Sequence, residues 1–96
     1  GTILSVADFP KARKPAYQLT IDFGDELGIK RSSAQITNLY QANDLVGKQV
    51  IAVVNFPPKQ IANFISECLV LGVVGDERGV ILLQPDQKVT NGYRIA

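Results

Sequence analysis

Short runs of β-branched and aromatic residues, cut by proline, glycine and aspartate, recur along the chain, and helical spacing of apolar positions is rare. Thr2 to Ala7 predicts a first strand, ending at Asp8-Phe9-Pro10. From Tyr17 to Phe23 the alternation is strict. Tyr17, Leu19, Ile21 and Phe23 fall on one face and Gln18, Thr20 and Asp22 on the other, as in a half-buried strand. Gly24 to Gly28 is a turn region, and Ile29 to Ile36 predicts a third strand with a polar start. Ile36, Leu39, Tyr40 and Val46 make a loose helical stripe, so Thr37 to Gly47 is the expected helix, stopped by Gly47. Gln49 to Asn55 is an almost unbroken apolar run, suited to a strand buried on both faces. Phe56 to Gln60 is expected to be loop, because adjacent prolines cannot join a ladder. Glu67 to Val74 predicts another buried strand, and Gly75 to Gly79 turns the chain so that Val80 to Leu83 returns as a hairpin partner.

Three strands, a helix, two strands and a returning hairpin predict an all-β fold. The arrangement expected is a five-stranded OB-fold barrel with a short helix between strands three and four and a C-terminal hairpin extension. A β-sandwich is the main rival, and the place of the helix favours the barrel. Ninety-six residues suit one domain, 1–96. A domain of this size buries a modest core, so a second copy or a partner would add stability. The chain starts at Gly1-Thr2-Ile3-Leu4 and has no methionine, which leads to the expectation that a short N-terminal segment is missing.

Composition mainly narrows the chemistry. Formal net charge is +1, so any attraction to nucleic acid must come from a local basic patch rather than from the whole molecule. Histidine is absent and Cys68 is the single cysteine, which removes the commonest general base, any internal disulfide and any usual metal spacing. Cys68 lies within an apolar run and is expected to be a buried, inert thiol. Most carboxylates fall in turns, where aspartate is a turn former. No enzyme, metal or cofactor is expected, and one reduced thiol suits a cytoplasmic location.

Binding is the remaining class. An OB barrel takes ligands on the face flanked by the loops joining strands one to two and four to five. The first loop, Pro10 to Pro15, carries Lys11, Arg13 and Lys14, the densest basic cluster in the chain. The second, Phe56 to Ile65, carries Lys59, Gln60, Asn63 and Phe64, and Lys30-Arg31 extends the patch from the third strand. Cations attract phosphates, amides read base edges and an aromatic ring offers a stacking surface. The plain alternatives are a solvated basic loop and phenylalanines that anchor loops in the core. If Phe56 and Phe64 are exposed together, they instead make an apolar patch for polypeptide.

Several segments carry a family resemblance. Lys11-Ala12-Arg13-Lys14-Pro15-Ala16-Tyr17, Ile21-Asp22-Phe23-Gly24 and Lys30 to Thr37 are similar to the CsaA branch of the tRNA-binding-domain family. So are Val53-Val54-Asn55-Phe56-Pro57-Pro58, Phe64 to Gly72 and Leu82-Leu83-Gln84-Pro85-Asp86. Together they run in order along nearly the whole chain. The resemblance implies a non-catalytic, chaperone-like homodimer linked to protein secretion, holding unfolded or preprotein segments. The sister branch implies structure-specific tRNA binding. The resemblance places Asn55 and Ser66-Glu67 near the RNA contact surface, although a lone charge beside this strand must be satisfied, which favours Glu67 as a buried, hydrogen-bonded structural carboxylate. Cys68-Leu69 and Asn55-Phe56 depart from the tRNA-binding branch, which has glycine-methionine and asparagine-leucine there, and lean toward CsaA. The expected RNA-binding residues are Lys11, Arg13, Lys14, Lys30, Arg31, Asn55 and Ser66. The expected peptide-binding residues are Asn55, Phe56, Phe64 and Ile65.

Overall fold

A computed structural model describes residues 1–96, and strands dominate it. β1 (Thr2–Asp8), β2 (Tyr17–Asp22) and β3 (Ile29–Ala34) form an antiparallel meander in that order. The strict alternation of β2 is realised: Tyr17, Leu19 and Ile21 are buried and Gln18, Thr20 and Asp22 are half-buried. The β1–β2 register slips between Ile3 and Ser5, and Leu4 is left exposed at the irregularity. A single helical turn, α1 (Gly24–Leu27), links β2 to β3. Gly24 at φ +88° permits its close packing: a Cβ there would come within 2.6 Å of the Asn91 carbonyl oxygen. Gly92 approaches Phe23 just as closely, so the C-terminal segment is laid against the β2–α1 corner.

The expected helix over 37–47 shrinks to one turn, α2 (Ala42–Leu45). The loose stripe is not a helix face, because Ile36 is buried while Leu39 and Val46 are exposed. Tertiary hydrogen bonds hold the preceding residues in another shape. Tyr17 Oη donates to the Tyr40 carbonyl at 2.8 Å, and the Leu82 N–H donates to Tyr40 Oη at 3.0 Å. Only Leu45 of α2 enters the core.

The second half pairs in short pieces. β4 (Ala52–Val53) pairs with β7 (Leu69–Val70), and β5 (Lys59–Ile61) with β6 (Phe64–Ser66). β8 (Gly72–Val73) pairs with β9 (Ile81–Leu82), the C-terminal hairpin expected from sequence. The segment expected as loop therefore becomes a strand from Lys59 onward. Pro57 and Pro58 lie just before it, and Ala62 turns the hairpin at φ +52°. The strand expected over 67–74 is divided into β7 and β8, because the chain changes partner from β4 to β9 within a few residues. The fold is all-β, with one three-stranded sheet and three two-stranded ladders in place of the expected five continuous strands. Further backbone bonds tie the chain together: Glu67 N–H to Arg31 O at 2.7 Å joins β3 to the end of β6, Ile3 N–H to Lys48 O at 2.9 Å joins β1 to the segment before β4, and Leu71 N–H to Ile51 O at 2.8 Å extends the β4–β7 ladder.

The main core gathers ten buried residues, among them Ile3, Leu19, Ile21, Leu45 and Cys68. A smaller cluster of Phe9, Ala16 and Phe64, flanked by Ala12 and Ile61, lies under the β1–β2 loop. Cys68 is 1% exposed, and burial pushes its thiol above the ordinary value of 9.0, partly offset by Ser32. The folded state thus holds this proton more tightly than the unfolded chain. Its contribution to stability is complete below pH 9.0 and is lost as pH rises through the higher folded value. The urea-midpoint difference between the wild type and Cys68→Ser should shrink as the pH is raised above 9.0, the thiol's ordinary value. A pH-independent difference would refute this.

Candidate nucleic-acid interface

The outer face of the β1–β2–β3 sheet follows from the register. Gln18 stands opposite Ser33, and Thr20 stands between Ser5 and Arg31. Side chains alternate across a strand, so these polar groups share the face turned away from Tyr17, Leu19 and Ile21. Lys30 and Arg31 consequently separate. Arg31 is exposed on the outer face, whereas Lys30 pairs with Ile21 and is half-buried on the core side. The expected Lys30-Arg31 extension of the patch is therefore Arg31 alone, because neighbouring residues of a strand cannot share a face.

The β1–β2 loop is ordered by its own apolar residues. Phe9 and Ala16 are buried and Ala12 is half-buried, and this leaves Lys11, Arg13 and Lys14 exposed. The loop rests on the β5–β6 hairpin. The Phe9 and Phe64 rings meet at a centroid distance of 5.4 Å with planes tilted by 53°. The Arg31 guanidinium carbon lies over the Phe64 ring, 4.3 Å from its centroid. Lys59, Gln60 and Asn63 are exposed on the same hairpin. The structure thus gathers the basic loop, the hairpin and Arg31 around one aromatic pair. The only salt bridge in the chain joins Arg78 to Asp76 at 2.9 Å, so Lys11, Arg13, Lys14 and Arg31 have no carboxylate within 4.0 Å. Their charge is available to an anion.

Glu67 and Ser66 stitch β3 to the end of β6. The Arg31 N–H donates to Glu67 Oε1 at 3.0 Å, and the Glu67 N–H donates back to the Arg31 carbonyl at 2.7 Å. The Ser33 N–H donates to Ser66 Oγ at 3.2 Å, and Ser66 Oγ donates to the Cys68 carbonyl at 3.2 Å. Glu67 is half-buried and hydrogen-bonded, in line with the structural reading of that carboxylate. Ser66 is 6% exposed with its hydroxyl engaged on both sides, so it lies behind the outer face rather than on it.

The residues expected to form a peptide groove do not converge. Phe64 is 2% exposed and belongs to the small core, Phe56 is half-buried, and Ile65 points to the other side of β6, opposite Gln60. Phe64 is an anchor because Phe9 and Arg31 cover its ring. An apolar groove of about 480 Å³ exists elsewhere, lined by Ile51, Val53, Leu71, Tyr93 and Ile95, with Asn55 at its side. Gln49 frames it: its amide accepts from the Val89 N–H at 3.1 Å and donates to Asn91 Oδ1 at 3.1 Å. Sequence reasoning missed Tyr93 and Ile95, which follow an Asn-Gly turn with no periodic signal. The alternation of β2 does mark Gln18 and Thr20. No helix is long and apolar enough to cross a membrane.

A family model described as "Putative tRNA binding domain" matches residues 1–94. The chain belongs to the tRNA-binding-domain family. Within this family it is similar to the chaperone CsaA of Bacillus anthracis: 54% identity, a TM-score of 0.93, and coverage of 100% of this chain and 86% of that one. It is also similar to the CsaA chaperone protein of Picrophilus torridus, at 59% identity and a TM-score of 0.93, covering 99% of this chain and 86% of that one. The methionine–tRNA ligase of Methanocaldococcus jannaschii is 33% identical over 95 residues. That match takes in 99% of this chain but only 14% of the ligase, so the chain spans a small part of the enzyme's length. The tRNA-binding domain here is CsaA-like, as its segments suggested.

Proposed function

We propose that the chain binds tRNA without catalysing a reaction, using the outer face of β1–β2–β3 and the basic β1–β2 loop. The observation that carries this reading is the docking of the loop on the β5–β6 hairpin through Phe9 and Phe64, which leaves Lys11, Arg13, Lys14 and Arg31 exposed and unpaired around one site. Phosphates are attracted by such a cluster, and the polar sheet face contacts what lies between them. The family model and the ligase similarity support it. Closure of the ladders into an OB-type barrel belongs to the same reading, supported by the backbone bonds from β3 to Glu67 and from Ile3 to Lys48.

A second reading is favoured by the apolar groove beside β4. It is the place for an extended apolar polypeptide segment, as expected of a chaperone of the CsaA type, and it uses Asn55 from the expected peptide set together with Tyr93 and Ile95. A homodimer, a cytoplasmic location and a link to protein export complete the proposal through the similarity to CsaA. The exposed Leu69 and Val74 support association of two copies.

Sedimentation of the chain, alone and with bulk tRNA over a salt series, tests these points together. The expected result is a dimer that binds tRNA at low salt, with log affinity falling linearly against log salt. A monomer at tens of micromolar, a range where weak dimers already assemble, contradicts the homodimer. Absence of tRNA binding at low salt contradicts the main reading.

A further inference from the structure

The Arg31 guanidinium is held differently from the loop cations. Lys11, Arg13 and Lys14 project from a loop, whereas Arg31 is on a strand with its side chain laid over an aromatic ring. We propose that Arg31 is a stacking platform for one unpaired nucleobase of the RNA and that Phe64 is its backing. This rests on the RNA-binding reading above and names the part of the RNA that the sheet face takes.

Four observations carry it. First, Phe64 is 2% exposed, so a base cannot reach its ring and only Arg31 offers a face to solvent. A guanidinium is planar and weakly hydrated, and it stacks on an aromatic ring through one face while the other stays free. Bases splayed from single-stranded RNA stack on such planes. Second, the platform is fixed in place. The Arg31 backbone is bonded to Glu67 in both directions, at 3.0 and 2.7 Å. Phe9 holds Phe64 from another side. The ordering left to binding is confined to the Arg31 side chain, which already rests on the Phe64 ring. Third, no carboxylate lies within 4.0 Å of the guanidinium, and the Glu67 side chain accepts from the Arg31 backbone N–H instead. Fourth, the surroundings suit a base edge. Thr20 stands directly opposite Arg31, and the Gln18–Ser33 pair follows on the same face, giving hydroxyl and amide groups that both donate and accept. The basic loop shares the Phe9–Phe64 anchor, so the cations that track phosphates and the platform that takes a base belong to one unit.

The alternative role for Arg31 is a fourth phosphate contact, and the two differ in what lysine can replace. Lysine keeps the charge but has no plane. The test measures binding of two RNA probes by fluorescence anisotropy: a single strand of about 12 nucleotides, within the span that one OB face covers, and a duplex of the same sequence. Arg31→Lys should weaken binding of the single strand about tenfold, the size expected for losing one base stack. Its salt slope should stay unchanged, and duplex binding should stay within about twofold, since paired bases are not available to stack. Equal binding of the single strand by both proteins, or an equal loss on both probes, overturns the platform. Lys14→Ala serves as the reference, with a smaller salt slope on both probes. If the wild type binds bulk tRNA but not the single strand, the platform fails; if it binds no tRNA either, the RNA-binding reading itself fails. If the wild type binds and Arg31→Lys does not discriminate, only the platform fails.

Discussion

Replacing Lys11, Arg13 and Lys14 together by alanine should lower affinity for tRNA by about a hundredfold or more at ~50 mM salt, and flatten the salt dependence by about two to three units of slope. The size follows from counterion release: each phosphate neutralised adds just under one unit to the slope, and three cations leave the site. All three side chains are exposed and without carboxylate partners, so their removal takes little from the fold. The melting temperature of the triple variant should stay within a few degrees of the wild type, as surface substitutions of this kind usually change stability by under ~0.5 kcal/mol. Binding of an apolar peptide in the groove beside β4 should be unaffected, because Ile51, Val53, Tyr93 and Ile95 line it and none of the loop residues do. Unchanged tRNA affinity in the triple variant would show that the loop is only a solvated surface. An equal loss of peptide and tRNA binding would show that the two ligands share a face.

Phe64→Ala should be the most destabilising single change at the interface, at about 3–5 kcal/mol. The ring is fully buried between Phe9 and the Arg31 guanidinium, so its removal leaves a cavity and deprives both of their partner. Native stability is of the order of 5–15 kcal/mol, so a loss of this size leaves little margin in a 96-residue chain. Its effect on function should exceed its effect on global unfolding. Ala12 and Ile61 pack against the same cluster, so the whole β1–β2 loop loses its seat. Hydrogen exchange at the Ala12 N–H, which donates to the Phe9 carbonyl at 3.2 Å, should accelerate before the protection of β2 is lost. Phe64→Leu should cost under ~1.5 kcal/mol, since it keeps most of the volume, and it isolates the loss of the aromatic face. A cost below about 1 kcal/mol for Phe64→Ala would mean that the loop stands without the ring, against the usual cost of emptying a core site.

The first half of the chain was legible because one face of its sheet is buried and the other is not. That asymmetry writes a period of two into Tyr17 to Phe23, and the register of β2 follows it residue by residue. The second half was less legible for the opposite reason. Gln49 to Asn55 and Glu67 to Val74 are apolar on both faces, so nothing local says where one ladder ends and the next begins. The structure breaks them into β4, β7 and β8, the first two paired with each other and the third with β9. The helix over 37–47 was overextended because a loose apolar stripe does not reveal that Tyr40 is held by Tyr17 and Leu82.

The proposed binding face divides in the same way. The basic loop between β1 and β2 and the polar side of β2 were determined by the sequence, through charge density between two prolines and through alternation. Three further points only the tertiary structure decided. Lys30 and Arg31, adjacent in the chain, point to opposite sides. Phe64, a candidate ligand contact in the sequence, is sealed beneath Arg31 and Phe9. The apolar groove forms from β4 and the C-terminal residues rather than from the proline loop. The physical reason is common to all three. A side chain's type fixes which interactions it is able to make, whereas its neighbours across strands and loops fix whether it meets solvent, and those neighbours are set by contacts between residues tens of positions apart.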